Sequence, residues 1–221
     1  MRDKRTMTVR IVQIAALSVA LFAWPAAAHD AAMPMSGSMK GMQMPGMQAM
    51  PAPQPMPGMS LYNLTSKWTT QDGTSTDLAS LRGNVVVAAM VYTHCRDVCP
   101  LTTERMQEIE RTLQQSSAAK ARFALFSMDW VRDTPEQLRQ FASQHHLDMQ
   151  RWTLFHGDEA AVREMAAVLG VSFHREANGD FQHSIAIFLL DKNGVVVAEE
   201  PDLSKPAAAL SARAAQLLAK R

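Results

Sequence analysis

Val85 to Pro100 reads VVVAAMVYTHCRDVCP. The first seven residues are an unbroken apolar run of strand length, the pattern of a strand buried on both faces. The end of the stretch carries both of the chain's cysteines, Cys95 and Cys99, with three residues between them. Met106, Ile109 and Leu113 then recur at helical spacing, and Pro100 falls in the first turn, where its missing N–H has no intrahelical partner to lose. Cys95 therefore stands at the carboxyl end of a buried strand, the end at which open α/β sheets bind ligands. Cys99 opens the next helix, whose free N–H groups and dipole favour a thiolate. The pair can be a redox dithiol, a structural disulfide or part of a metal site.

On either side of this stretch the pattern alternates. Gln71-Asp72-Gly73 is a turn between two short polar strands, and Leu78 to Leu81 a helical turn ended by Gly83. Phe123 to Met128 reads as a second buried strand. Thr134-Pro135-Glu136 opens a helix, with cap, proline and acid in order. Trp152 to Phe155 is a third strand, and Asp158 to Leu169 a helix stopped by Gly170. Ile185 to Leu190 and Val195 to Ala198 are strands joined through Asp191-Lys192-Asn193-Gly194. A last helix runs from about Pro206 to Leu218. Strands alternating with helices, then a closing hairpin, predict an α/β domain over 61–221: a thioredoxin-like central mixed sheet flanked by helices, with an N-terminal strand or hairpin extension.

The N-terminus differs in texture. Arg2, Lys4, Arg5 and Arg10 precede the apolar run Ile11 to Trp24 and the small residues Ala26-Ala27-Ala28. That is the layout of a secretory signal peptide over 1–28, cleaved after Ala28; the run is short for a membrane span, and the alternative is an uncleaved inner-membrane anchor facing the periplasm. Removing the signal takes away +3 of a formal net charge of +1, so the remainder is near −2 and does not suit nucleic acid. Export places the cysteines in the oxidising periplasm. Residues 29–60 are rich in Met, Pro and Gly and read as a disordered tail. Nine of the chain's sixteen methionines lie between Met33 and Met59. The tail reads either as a tether or, because thioethers suit Cu(I), as a copper-gathering segment through Met33, Met35, Met42, Met44, Met47 and Met50. His29 would be the mature N-terminus, where imidazole and free amine together can chelate Cu(II).

A disulfide across so short a loop constrains the unfolded chain little, which weakens the purely structural reading. The peroxidatic pattern P-x-x-x-T-x-x-C is absent, since Ala88 and Tyr92 stand at its first two positions. Two cysteines cannot make a four-cysteine zinc site. Of seven histidines, His145 and His146 fall at a polar helix end, and His156 and His174 in loops. His94 adjoins Cys95 but alternation along a strand turns it to the other face, as a packing or hydrogen-bonding residue. His183 lies just before the strand from Ile185, in a loop that faces the dithiol in the thioredoxin topology. Two thiolates and that imidazole make a soft three-coordinate set suited to Cu(I).

The domain resembles the Sco/SenC family of thioredoxin-like copper-binding proteins involved in cytochrome c oxidase assembly. The resemblance rests on Tyr92-Thr93-His94-Cys95 with Val98-Cys99-Pro100, on Ser127-Met128-Asp129 with Arg132-Asp133-Thr134-Pro135, and on His183-Ser184 with Phe188-Leu189-Leu190-Asp191 and Gly194. It runs from about Leu61 to Val197 and implies Cys95, Cys99 and His183 as copper ligands. Arg96 stands where the family commonly has proline, and the segment before His183 is short.

These readings lead to a periplasmic copper metallochaperone rather than an enzyme. It would deliver copper to a cuproprotein acceptor, with the binuclear copper site of cytochrome c oxidase implied by the resemblance. A thiol–disulfide oxidoreductase acting on a copper-site apoprotein is the first alternative, with Cys95 and Cys99 as its dithiol. Either role needs a periplasmic thiol reductant. Copper sequestration through the tail is the second alternative. Asp129, at a strand end, reads either as an outer partner of the site or as a turn residue.

Overall fold

The computed structural model describes residues 55, 58–115 and 121–219. The proposed signal, and the tail up to its last few residues, lie outside the described residues, and with them His29, Met33, Met35, Met42, Met44, Met47 and Met50. Among the described residues no helix is long and apolar enough to cross a membrane.

Strands β1 (Trp68–Thr70) and β2 (Ser75–Thr76) form the expected N-terminal hairpin. They are followed by β3 (Val86–Val91), α1 (Val98–Gln115), β4 (Arg122–Ser127), α2 (Pro135–Gln144), β5 (Trp152–Gly157) and α3 (Glu159–Leu169). Then come β6 (Phe173–Arg175), β7 (Phe181–His183), β8 (Ile187–Leu190), β9 (Val196–Glu200) and α4 (Ala208–Ala219). Seven strands form one mixed sheet in the order β2-β1-β5-β4-β3-β8-β9. The inner strands β3, β4 and β5 are parallel, and the outer ones run antiparallel to their neighbours. The architecture is the thioredoxin-like α/β sheet that the sequence predicts.

Helix ends follow from local chemistry. Thr134 accepts a hydrogen bond from the Gln137 N–H, with Pro135 at the first helical position, and Asp158 caps α3 through the Ala161 N–H at 2.8 Å. Gly170 ends α3 at φ +70°, a conformation a side chain would resist. Helix α1 turns Met106, Ile109 and Leu113 into the core, each stabilising by about 1.5–3 kcal/mol. All six residues of β3 are buried, because helices or strands cover both faces.

Three details differ from the sequence reading. His183 and His174, expected in loops, lie on a separate two-stranded antiparallel sheet of β6 and β7. The strand expected from Ile185 begins at Ile187, because residues 184–186 link this hairpin to β8. His156 is also on a strand, in β5 opposite Thr69, rather than in a loop.

Candidate metal centre

Parallel pairing of β3 and β4 sets Val91 beside Ser127, so the loops after these strands leave the sheet side by side. The amide of Met128 still donates to the carbonyl of Val91 at 2.8 Å. Strand β8 runs antiparallel to β3, with Ile187 opposite Ala89 near this same edge. The hairpin just before β8 is therefore delivered to the end of the sheet where the cysteines stand. Three segments converge there: 92–97, 128–134 and 173–186.

The chain turns after β3, with the Cys95 N–H donating to the Tyr92 carbonyl at 3.2 Å. His94 is thus in a turn, where strand alternation no longer applies; its Nδ1 lies 3.2 Å from Thr93 Oγ1 and 3.6 Å from Asp133 Oδ1. Helix α1 begins at Val98, and the Cys99 N–H donates to Cys95 Sγ at 3.3 Å. Both cysteines are buried free thiols, Cys95 9% exposed and Cys99 1%.

This geometry separates the two sulfurs electrically. A hydrogen bond from the Cys99 thiol is the largest influence on Cys95; burial opposes it, and the backbone N–H groups of Cys99, Asp97 and Val98 reinforce it, holding Cys95 down at about 5. Cys99 moves strongly upward, first because its proton bonds Cys95 and then by burial. Near neutral pH the pair is a Cys95 thiolate sharing the proton of a Cys99 thiol. Tyr92 closes over them: its phenol is pushed up to about 12, first by burial and then by the charge on Cys95, with which it hydrogen-bonds.

His183 is the last residue of β7. Its ring meets that of Tyr92 edge-on at 6.1 Å between centroids. Nδ1 lies 3.0 Å from the Ser184 carbonyl oxygen, which can only accept, so Nδ1 carries the proton. The other nitrogen, Nε2, is buried with no hydrogen-bond partner among the described residues. An imidazole held by its Nδ1–H on a backbone carbonyl, with a bare Nε2 lone pair, is the arrangement of a metal-ligating histidine. The donor set of two sulfurs and this nitrogen fits a soft ion such as Cu(I). The ligand atoms of Cys95, Cys99 and His183 do not all lie within 4.8 Å of one another; among the described residues those of His94, Asp129 and Asp133 do.

That closer cluster has its valences committed elsewhere. Asp133 accepts from the Thr93 N–H (3.0 Å), the Thr93 hydroxyl (2.6 Å) and the Ser127 hydroxyl (2.6 Å). Asp129 accepts from the N–H groups of Val131 and Arg132 and pairs with the Arg132 guanidinium. Both carboxylates are fully buried. The sequence assigns Asp133 no role of its own; for the hairpin carrying His183 it offers one signal, Asn178-Gly179 between Phe173 and Phe181.

The sequence profile of the SCO1/SenC family matches residues 60–218. A SCO1 protein homolog of Bacillus subtilis is 28% identical over 132 residues, covering 58% of this chain and 68% of that one. The crystal structure of a SCO1/SenC family lipoprotein from Bacillus anthracis superposes with a TM-score of 0.65 at 25% identity, over 71% of this chain and 95% of its own. That of Arabidopsis thaliana ScoI with copper bound gives 0.63 at 17% identity, over 71% and 97%, and shows the shared fold.

Proposed function

The chain belongs to the SCO1/SenC family, and from that premise we propose that it is a periplasmic copper metallochaperone whose copper is held by Cys95, Cys99 and His183. Relatives of this fold hold copper, and the residues here suit the same cargo. The observation that carries the ligand assignment is His183: a buried Nε2 without a partner, on a ring whose Nδ1–H is tied to the Ser184 carbonyl. Leaving such a nitrogen bare in a protein interior costs free energy, and a metal removes that cost.

Binding begins from the Cys95 thiolate, the charged and more accessible sulfur. Cys99 then gives up the proton it shares and becomes the second sulfur ligand. The imidazole arrives on the hairpin and completes the set. Delivery is ligand exchange: a thiolate of the acceptor enters, and His183, the harder donor on an outlying hairpin, leaves first. The acceptor is proposed to be the copper-bearing subunit of cytochrome c oxidase. The methionine-rich segment, with His29 at its start after cleavage, is proposed to gather copper for the domain.

The test is copper titration of the reduced protein, followed by sulfur-to-copper charge-transfer absorption. His183→Ala is expected to weaken binding and leave both thiols titratable; unchanged affinity and stoichiometry would sink the ligand assignment.

A second reading has its own observation, the low value of Cys95 beside a protonated Cys99. A Cys95 thiolate can attack a disulfide of an acceptor, forming a mixed disulfide and releasing one acceptor thiolate. Cys99, on losing its proton, attacks Cys95, leaving the acceptor reduced and Cys95–Cys99 oxidised. A periplasmic dithiol reductant must then restore the pair. Reduction of a disulfide-bonded acceptor peptide by copper-free protein, undiminished in His183→Ala, would favour this role.

A further inference from the structure

The β6–β7 hairpin has no ladder to the main sheet, and a lone two-stranded hairpin is marginal in water. Its position must come from side chains. Along its length these are aromatic: Phe181 against Tyr92 and Trp130, at 5.3 and 5.8 Å, and Phe173 against Trp130 at 6.3 Å. At its tip the tie is polar. The Arg132 guanidinium donates to the Gly179 carbonyl and lies 3.6 Å from the Asp180 carboxylate. Gly179 turns at φ +88°, and a β-carbon there would sit 3.4 Å from Arg132 Nη1, so the tip is shaped to the guanidinium.

Arg132 is itself held from behind by Asp129, through its Nε and its backbone N–H. The next residue, Asp133, pins Thr93, which lies between Tyr92 and the cysteine loop. One short segment, Asp129 to Asp133, therefore grips both halves of the candidate site: the cysteine loop through Asp133, the histidine hairpin through Arg132.

We propose that Arg132 is a positioning residue for copper, holding the β6–β7 hairpin so that the His183 imidazole meets the dithiol. The proposal rests on the reading of His183 as a ligand. Arg132 acts through the hairpin tip, and His183 stands three residues after Asp180 in the chain. Asp129 orients the guanidinium, which gives that buried carboxylate a role in the site at one remove.

The test compares full-length reduced wild type, Arg132→Met, Arg132→Lys and His183→Ala. In copper-free Arg132→Met, amide hydrogen exchange at Phe181–His183 is expected to rise at least about tenfold, with exchange in β3 and β4 unchanged. Its copper affinity is expected to fall about 10- to 100-fold, the range for residues that orient a ligand. At the sulfur-ligated Cu(II) site, nitrogen hyperfine coupling is expected to vanish while the sulfur charge-transfer band remains. Lysine keeps the charge but lacks the planar fork, so Arg132→Lys should recover only part of both effects. Should Arg132→Met not fold, Asp180→Asn removes the tip ion pair while keeping an oxygen for the Asn178 amide, and is expected to move exchange and affinity the same way, by about two- to threefold; no change in either would overturn the proposal. Exchange and affinity within twofold of wild type in Arg132→Met, alongside a loss in His183→Ala, overturn the proposal alone. Unchanged affinity in His183→Ala overturns the ligand reading and the proposal with it.

Discussion

The amide of Cys99 points at the sulfur of Cys95 across 3.3 Å, so the second cysteine of the motif serves the first before any metal arrives. A spacing of four at a helix start makes this possible. Cys95, three residues before the helix begins at Val98, receives what the first turn cannot satisfy internally. The two thiols, alike in sequence, are unlike in chemistry.

Cys95 should therefore be the reactive thiol. Its alkylation by iodoacetamide is expected to rise through a midpoint near pH 5 and stay level above pH 7, while Cys99 stays unmodified. Cys99→Ala removes the largest stabilising contact of the thiolate, and the midpoint should climb toward the ordinary thiol value of about 8.5. Cys99→Ser keeps a hydroxyl donor and should fall between. A wild-type midpoint near 8.5 would contradict the asymmetry. The sign for stability follows: a thiol depressed in the folded state stabilises most above its unfolded value, and that contribution is lost as pH falls toward 5.

Copper binding should release one proton from the dithiol near pH 7, because only Cys99 still holds one. Below about pH 5 the release should approach two. Calorimetric titration of the His183→Ala variant in buffers of different ionisation enthalpy reads this number without a contribution from the imidazole. A release of two at pH 7 would mean both thiols start protonated.

Asp133 accepts three hydrogen bonds with no exposure to water. Asp133→Ala strands three donors and should destabilise the domain by about 2–4 kcal/mol, lowering Tm by about 5–15 °C. Asp133→Asn keeps the shape and should cost less. Thermal unfolding of the reduced, copper-free protein measures both, and an Asp133→Ala Tm within about 2 °C of wild type would refute the pinning role.

Deletion of residues 29–59 should leave the sulfur charge-transfer band and the one-copper stoichiometry of the domain intact, and remove any further Cu(I) equivalents bound by thioethers. Competition against a Cu(I) chelator counts these equivalents. If deletion abolishes copper tolerance in cells yet leaves oxidase assembly normal, sequestration becomes the better account of the segment.

Much of the site was legible in the sequence because it depends on local rules. The apolar run Val85–Val91 has the length and valine content of a doubly covered strand, and cysteines just after it fall at the ligand-binding edge. The hairpin was not legible to the same degree: Phe173–Arg175 and Phe181–His183 are three residues each, too short for a period to show. Arg132 and Asp133 belong to a motif that carries the family resemblance, but their contacts were not legible, since a polar loop residue carries no pattern that says what lies opposite.

The chain by itself determined the strand–dithiol–helix unit, the sheet it belongs to and the soft donors available, because periodicity, capping and ligand type are properties of neighbouring residues. Only the tertiary structure decided which donors meet. The burial of the bare Nε2 of His183 and the grip of Asp129–Asp133 on two distant segments depend on contacts across many residues of chain. The parallel pairing of β3 with β4 and the reversed entry of β8 bring those segments to one edge.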